Sequence, residues 1–207
     1  MVYCGSMRRP FSIFAGVGLL LLLTACVDKT GLSEESHKGP HPKSNTASPI
    51  VIHEFGDLQC PACRAAQSKI VQPLLKEYGA KIRLEFKHFP IVSLHRHAMV
   101  AAQASECAAD QGKFWDFVDL VYEKQSDLRS DIFPVWAKEL GLEVPLFERC
   151  LKSRVKKGAV LADYEEGKTV GVKGTPTFFV NGEPVQSELK AITGAIDAIV
   201  SKMRQKL

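Results

Sequence analysis

Apolar positions beyond residue 50 follow two different periods, and their order predicts an α/β domain. Ile50–Phe55 is a short run rich in β-branched residues, enclosed by Pro49 and Gly56, which is typical of a buried strand. Ala62–Tyr78 repeats apolar side chains at helical spacing and predicts a helix. Lys81–Phe89 alternates apolar and polar residues, so we expect a second strand, parallel to the first through a right-handed crossover.

A long helical region follows this β-α-β unit. The spacing from His95 to about Val170 predicts an inserted subdomain of four or five helices, at about residues 93–170. The predicted helices are Met99–Ala109, Phe114–Lys124, Ile132–Leu140, Pro145–Leu151 and Val155–Val170.

The chain then returns to strands. Thr177–Val185 carries Asn181-Gly182 between two runs of strand character, the strongest short signal for a β-hairpin. Leu189–Met203 predicts a closing amphipathic helix. The order β-α-β, helices, β-β-α over residues 50–207 therefore predicts an α/β domain with a thioredoxin-like fold and an inserted α-helical subdomain.

The N-terminal residues predict export. Arg8 and Arg9 precede the uncharged run Phe11–Ala25, which is short for a membrane span and suits a secretory signal. Leu23-Thr24-Ala25-Cys26 resembles the lipobox of bacterial lipoproteins, so we expect residues 1–25 to be removed and Cys26 to be acylated. An uncleaved anchor with an incidental cysteine is the alternative, and Met7 is an alternative start.

Residues 26–49 are polar and rich in Ser, Thr, Gly and Pro, which predicts an acylated cysteine followed by a flexible tether. Removal of the signal would lower the net charge from +4 to +2, with the basic residues scattered along the chain. This balance does not favour nucleic acid as a partner. Residues 50–207 suffice for one domain with a core.

The chemistry is expected at Cys60-Pro61-Ala62-Cys63, directly after the first strand. Cys60 would lie at the helix N-terminus, where free N–H groups lower a thiol pKa, with Pro61 in the first turn. Closing so short a loop stabilises a fold by only roughly 2 kcal/mol, so the pair suits exchange more than structure. We expect Cys60 to attack or be attacked, and Cys63 to resolve the mixed disulfide.

A metal site is the alternative for this pair. Two thiolates supply only two ligands, and zinc needs two more. The candidates nearby are His88, His95 and His97. No second C-x-x-C is present, so no metal is predicted.

Gly174-Thr175-Pro176-Thr177 precedes the predicted hairpin and suits a cis peptide bond before Pro176. In the predicted fold this proline would face the C-x-x-C and leave the Thr175 backbone free to pair with an extended substrate segment. An ordinary trans turn proline is the alternative.

Glu54 lies six residues before Cys60 on the first strand. A carboxyl group buried beneath the disulfide would have a raised pKa and could relay protons as Cys63 ionises. Lys87 on the second strand could pair with it. A solvent-facing strand end is the alternative.

Cys107 and Cys150 both fall in the helical region, 43 positions apart. In an exported protein we expect them to form a structural disulfide. Free buried thiols or a second redox relay are the alternatives.

Four segments together resemble the DsbA-like thiol:disulfide oxidoreductases of bacteria. They are Glu54–Cys63, Lys87–Pro90, Gln111–Trp115 and Gly174–Gly182. The resemblance covers residues 50–207 and implies Cys60 as nucleophile, Cys63 as resolving thiol, Pro176 as cis-proline and Glu54 as buried acid. Thr175, Pro61 and Ala62 are the expected substrate contacts.

The resemblance implies an exported, lipid-anchored monomer in the periplasm or on the cell-envelope exterior. It would introduce disulfides into reduced, unfolded exported proteins and be reoxidised by a quinone-linked membrane partner. Ala62 stands where strongly oxidising members have His, and Thr175 resembles the isomerase and reductase branch. A disulfide isomerase or reductase kept reduced by a membrane donor is therefore one alternative, and a non-catalytic peptide-binding lipoprotein is another. No cofactor signal is present.

Overall fold

A five-stranded mixed sheet forms the centre of the domain in the computed structural model, which describes residues 41–205. The sheet order is β1-β3-β2-β4-β5, with β2 and β3 parallel and the other pairs antiparallel. The strands are β1 (His41–Ser44), β2 (Val51–Gly56), β3 (Arg83–His88), β4 (Thr177–Val180) and β5 (Glu183–Val185).

Helices connect and cover these strands. After β2 the chain forms α1 (Pro61–Ala66), one π-helical turn (Gln67–Val71) and α2 (Gln72–Tyr78) without a break. The inserted helices are α3 (Ala98–Ala109), α4 (Phe114–Glu123), α5 (Phe133–Glu139), α6 (Val144–Ser153) and α7 (Lys157–Thr169). The last helix is α8 (Leu189–Arg204). The predicted thioredoxin-like fold with a helical insert is thus confirmed.

The β4–β5 hairpin forms for the reason that its sequence indicates. Asn181 and Gly182 have φ values of 49° and 86°, the positive values that a two-residue type I′ turn requires. The side-chain oxygen of Asn181 also accepts a hydrogen bond from the Val51 N–H at 2.7 Å. The turn therefore joins β4 to the start of β2.

Side chains alternate between the two faces of the sheet, and each face has its own apolar cluster. One face carries Ile52 and Phe178 and packs against α1, α2 and α8. The other carries Phe55 and Phe179, which pack with Phe89 and with Tyr164 of α7. The largest cluster lies within the insert and extends to Cys60 and Cys63.

Residues 41–49 correct the sequence interpretation, because the predicted tether extended to Pro49. His41–Ser44 instead pairs with β3 as an edge strand. The His41 ring stacks on Phe114 at 3.7 Å between centroids, and Trp115 donates its indole N–H to the His41 carbonyl at 3.1 Å. Backbone pairing of this kind needs no apolar composition, so the polar sequence did not indicate it.

The predicted signal peptide, Cys26 and the rest of the tether lie outside the described residues. Within residues 41–205 no helix is long and apolar enough to cross a membrane.

Candidate active site at the start of helix α1

Cys60 is the N-cap of α1, and Pro61 occupies the first helical position. The Cys60 backbone is extended, with φ −74° and ψ 121°, and Cys63 lies one turn inside the helix. Both cysteines are free thiols here, Cys60 with 6% and Cys63 with 0% of its surface exposed. The structure thus presents the dithiol form of the pair.

The two thiols differ strongly in acidity. A hydrogen bond from the Cys63 thiol lowers the pKa of Cys60 to about 5; partial burial opposes this, and Thr175 and the N–H groups of Cys63 and Ala62 contribute further. The same hydrogen bond, together with burial, holds the pKa of Cys63 far above the ordinary range. At neutral pH Cys60 is therefore a thiolate and Cys63 keeps its proton.

Asp57 fixes the loop before α1. Its buried carboxylate accepts three hydrogen bonds at 2.8 Å, from the N–H groups of Gln59 and Ile91 and from Nδ1 of His95. Its own backbone N–H faces the Cys63 sulfur at 3.5 Å. Sequence reasoning missed this residue, although an Asp three positions before a helix N-cap is a common turn-forming signal.

Gln125, just after α4, also holds this loop. Its side-chain amide donates to the carbonyls of Leu58 and Cys60, at 3.0 and 3.1 Å. Sequence reasoning missed Gln125 as well, because a contact between positions 65 or more apart leaves no local pattern. The insert therefore fixes the backbone that presents Cys60.

Thr175 and Pro176 face the cysteines, and the peptide bond between them is cis. The Cys60 sulfur lies 3.4 Å from the Thr175 carbonyl oxygen. Beside them is an open groove of about 260 Å³, which Ala62, Ile70 and Pro176 line together with Ala65, Ala66, Lys69 and Ser187. The structure thus brings Ala62 and Pro176 to one surface, while Pro61 is exposed at the helix start.

Glu54 is completely buried on β2, and neither carboxylate oxygen has a hydrogen-bond partner among the described residues. Burial is the main cause that raises the pKa of Glu54 to about 8; Asp119 raises it further, and Lys43 lowers it. This carboxyl is therefore mostly protonated at neutral pH.

The suggested pairing of Lys87 with Glu54 is wrong. Phe86 lies opposite Glu54 in the parallel register, so Lys87 points to the other face of the sheet. There its ammonium group contacts Glu166 at 2.9 Å and Asp163 at 3.5 Å.

The histidines considered as metal ligands lie in separate environments. His88 contacts Glu106, His95 contacts Asp57, and His97 contacts Ser130. Residues 41–205 contain no group of three or more metal-ligating side chains.

Cys107 and Cys150 are bonded to one another, with their Cα atoms 5.8 Å apart. The bond joins α3 to α6 within the insert and is almost fully buried. It is remote in sequence from the C-x-x-C.

The chain is similar to a known protein family. A family model described as thioredoxin matches residues 38–198, most of the chain. The chain belongs to this thioredoxin family. The match begins before β1, in agreement with the place of that strand in the sheet.

Solved structures show the same fold. The oxidised BdbD of Bacillus subtilis aligns with a TM-score of 0.68 at 24% identity, over 78% of this chain and 92% of that one. Wolbachia pipientis alpha-DsbA1 aligns with a TM-score of 0.69 at 20% identity, over 82% and 95%.

The curated relatives are larger proteins. The Na(+)/H(+) antiporter NhaA 3 of Salinispora tropica is 35% identical over 142 residues, which cover 69% of this chain but only 22% of the antiporter. The Na(+)/H(+) antiporter NhaA of Herminiimonas arsenicoxydans is 32% identical over 72% of this chain and 24% of its own length. The chain thus spans about a fifth to a quarter of these relatives, whose names describe the whole antiporters.

Proposed function

We propose that this protein is a thiol:disulfide oxidoreductase that introduces disulfides into exported proteins through Cys60 and Cys63. The proposal rests on two thiols within one helical turn whose pKa values are shifted in opposite directions. The pKa of Cys60 is lowered to about 5, and that of Cys63 is raised. The names of the structural relatives agree, since one is a thiol-disulfide exchange protein of Wolbachia pipientis.

The proposed reaction starts from the oxidised pair. A substrate thiolate attacks the Cys60 sulfur, the Cys60–Cys63 bond breaks, and Cys63 leaves as a thiolate that takes up a proton. A second substrate thiolate then attacks the substrate sulfur of the mixed disulfide and releases the Cys60 thiolate. The substrate loses two electrons and gains a disulfide, and the protein retains those electrons as a dithiol.

The oxidising direction rests on the stability of the released Cys60 thiolate. A low pKa makes Cys60 a good leaving group and stabilises the reduced protein, which makes the disulfide a stronger oxidant. Ala62 adds no side-chain donor, but the Cys63 thiol and backbone N–H groups already stabilise the thiolate. An isomerase or reductase kept reduced by a membrane donor is the second candidate, favoured by Thr175 before the cis-proline.

Substrate binding is proposed at the groove beside Pro176. Its small, largely apolar lining suits an extended, unfolded segment, and we expect the Thr175 backbone next to Pro176 to pair with that segment. A non-catalytic peptide-binding role would use the same surface, but it does not require two thiols of different acidity.

The cellular setting is proposed from residues outside the described part. Cys26 would carry the lipid, and the domain would act as a monomer in the periplasm or on the cell-envelope exterior. A quinone-linked membrane partner would reoxidise it.

The test is the equilibrium of the Cys60–Cys63 pair with glutathione, measured on the full chain. A potential between about −120 and −180 mV, with the pair oxidised in cells, supports the oxidase. A potential of about −230 mV or lower, with the pair reduced in cells, favours the reductase or isomerase. Cys60→Ser is the control, because it should abolish exchange but leave peptide binding intact.

A further inference from the structure

Two loop segments near Cys60 expose large apolar side chains to solvent. In residues 91–97, between β3 and α3, Val92 has 57% and Leu94 has 75% of its surface exposed. In residues 170–174, between α7 and the cis peptide bond, Val170 has 48% exposed. These three are half of the six large apolar residues that are exposed within residues 41–205. Such a concentration of exposed apolar surface indicates an interaction site.

The two segments are neighbours, and both adjoin Cys60. Their buried residues Ile91 and Val172 belong to one apolar cluster. The His97 N–H donates to the side chain of the residue before Cys60, at 2.7 Å. Residues 170–174 lead directly into the cis peptide bond that faces the Cys60 sulfur. The exposed side chains of both segments therefore lie beside the reactive thiol.

The same segments are cationic. Arg96 and Lys173 are exposed, and neither segment contains an Asp or a Glu. We call the surface formed by Val92, Leu94, Arg96, Val170 and Lys173 the basic apolar face. Apolar side chains flanked by basic ones suit the interface of an anionic bilayer, where the apolar groups enter the headgroup boundary and the cations attract the lipid phosphates.

The described chain joins the sheet at the same end. His41, the first residue of β1, pairs with Phe86 near the C-terminal end of β3. Gly56, at the C-terminal end of β2, pairs with His88 of the same strand, and Cys60 follows four residues later. His41 is therefore only two residues, or about 7 Å along the sheet, from the level at which β2 leads into the active site.

This position limits how the domain can lie on a membrane. The proposed lipid at Cys26 is 15 residues from His41. Even fully extended, that length of chain spans at most roughly 50 Å. The anchor thus keeps the domain near the bilayer and attaches it by the end of the sheet that carries Cys60, because β1 runs antiparallel to β3.

We propose that the basic apolar face rests on an anionic bilayer surface and turns Cys60 toward the membrane. Leu94 and Val92 enter the interface, and Arg96 and Lys173 lie among the anionic headgroups. This orientation brings the thiol to the surface at which a membrane redox partner acts. The inference rests on the proposed lipid at Cys26, but it does not depend on the direction of exchange.

Quenching of tryptophan emission by brominated lipids tests the proposal. The full chain, processed and acylated by its bacterial host, is reconstituted in vesicles of phosphatidylglycerol and phosphatidylcholine. Leu94→Trp places a reporter on the basic apolar face, and the parent protein gives the contribution of the native Trp115 and Trp136. We expect brominated lipids to remove about half or more of the emission added by Leu94→Trp, since the reporter lies in the headgroup boundary.

Met203→Trp is the matched control, because Met203 is also an exposed apolar residue, with 42% of its surface exposed. It lies on α8 beyond Asp197, whose carboxylate accepts a hydrogen bond from Tyr78. Tyr78 ends α2, shortly before β3 begins at Arg83, so Met203 lies toward the opposite end of the sheet. The emission added by Met203→Trp should be quenched little.

A second test concerns the charge of the face. Replacing Arg96 and Lys173 together with Gln, in the Leu94→Trp protein, should reduce the quenching by about twofold or more in phosphatidylglycerol vesicles. Replacing Lys202 and Arg204 with Gln removes the same charge from the end of α8 and should leave the quenching unchanged. Amide hydrogen exchange of the wild type controls for the added tryptophan, since residues 91–97 should exchange more slowly on phosphatidylglycerol than on phosphatidylcholine vesicles.

Equal quenching of Leu94→Trp and Met203→Trp would overturn the proposal. It would also be overturned if Val92→Ser with Leu94→Ser slowed oxidation of a reduced peptide while Leu94→Trp showed no lipid quenching, because the face would then bind the substrate. Failure of the wild type to float with vesicles would refute the anchor and this orientation with it. Failure of the wild type to oxidise the peptide would refute the proposed exchange and leave the quenching result standing, so the two failures are distinct.

Discussion

Glu54 should make the reduced protein less stable as the pH rises, and Glu54→Gln should remove this dependence. Burial raises the pKa of Glu54 from 4.5 to about 8, so the folded state holds a proton that the unfolded chain releases. Between these two values the folded state binds more protons, and its stability therefore falls with rising pH. The cost is roughly 3 kcal/mol at pH 7 and is close to its maximum above pH 8.

The assay is urea unfolding of the dithiol form under excess reductant at pH 5, 7 and 8.5. Relative to the wild type, Glu54→Gln should gain roughly 2 to 3 kcal/mol of unfolding free energy between pH 5 and pH 7. Glu123→Gln removes an exposed carboxylate and controls for the change in net charge. If Glu54→Gln and the wild type lose stability in parallel over this range, Glu54 does not carry a raised pKa and the reasoning fails.

Three further predictions concern the disulfide of the insert, the acidity of the two thiols and the side chain of Gln125. Replacing Cys107 and Cys150 together with Ala should lower the unfolding free energy by about 4 kcal/mol, because the bond closes a loop of about 44 residues; calorimetry with and without reductant checks this. Alkylation of the dithiol form should follow a titration with a midpoint near pH 5 at Cys60, while Cys63 stays unreactive, and a midpoint near pH 9 would contradict the assignment. Gln125→Leu removes two hydrogen bonds to the active-site loop and should cost about 2 kcal/mol of unfolding free energy; an unchanged urea midpoint would exclude this role.

The sequence predicted those structural elements that a few neighbouring residues determine. Asn181-Gly182 fixes a hairpin through the backbone angles of two adjacent residues, and Cys60-Pro61 marks the start of a helix in the same way. Alternation along β2 and β3 was equally visible, yet it was not used to separate Lys87 from Glu54. Adjacent strands in this register place them on opposite faces.

Contacts between distant positions could not be predicted where no sequence motif marks them. β1 is held by backbone pairing and by His41 against Phe114, neither of which depends on an apolar run. Asp57 and Gln125 act by bonding to backbone groups of the loop, a role that any short polar side chain could fill from the right place. Such residues are recognised only when the fold has set their positions.

The difference between the two thiols determines what each one needs in the proposed exchange. A thiol at the helix start can leave as a thiolate unaided, but Cys63, buried and of raised pKa, cannot carry a charge for long. Every exchange cycle must therefore bring a proton to Cys63 and remove it again. Replacing Glu54 with an apolar residue would relieve the cost of its burial, but it would remove the buried carboxyl group that we propose as the source of this proton. The loss of stability that we predict for Glu54 as the pH rises is thus the counterpart of supplying a proton to a resolving thiol that lies inside the core.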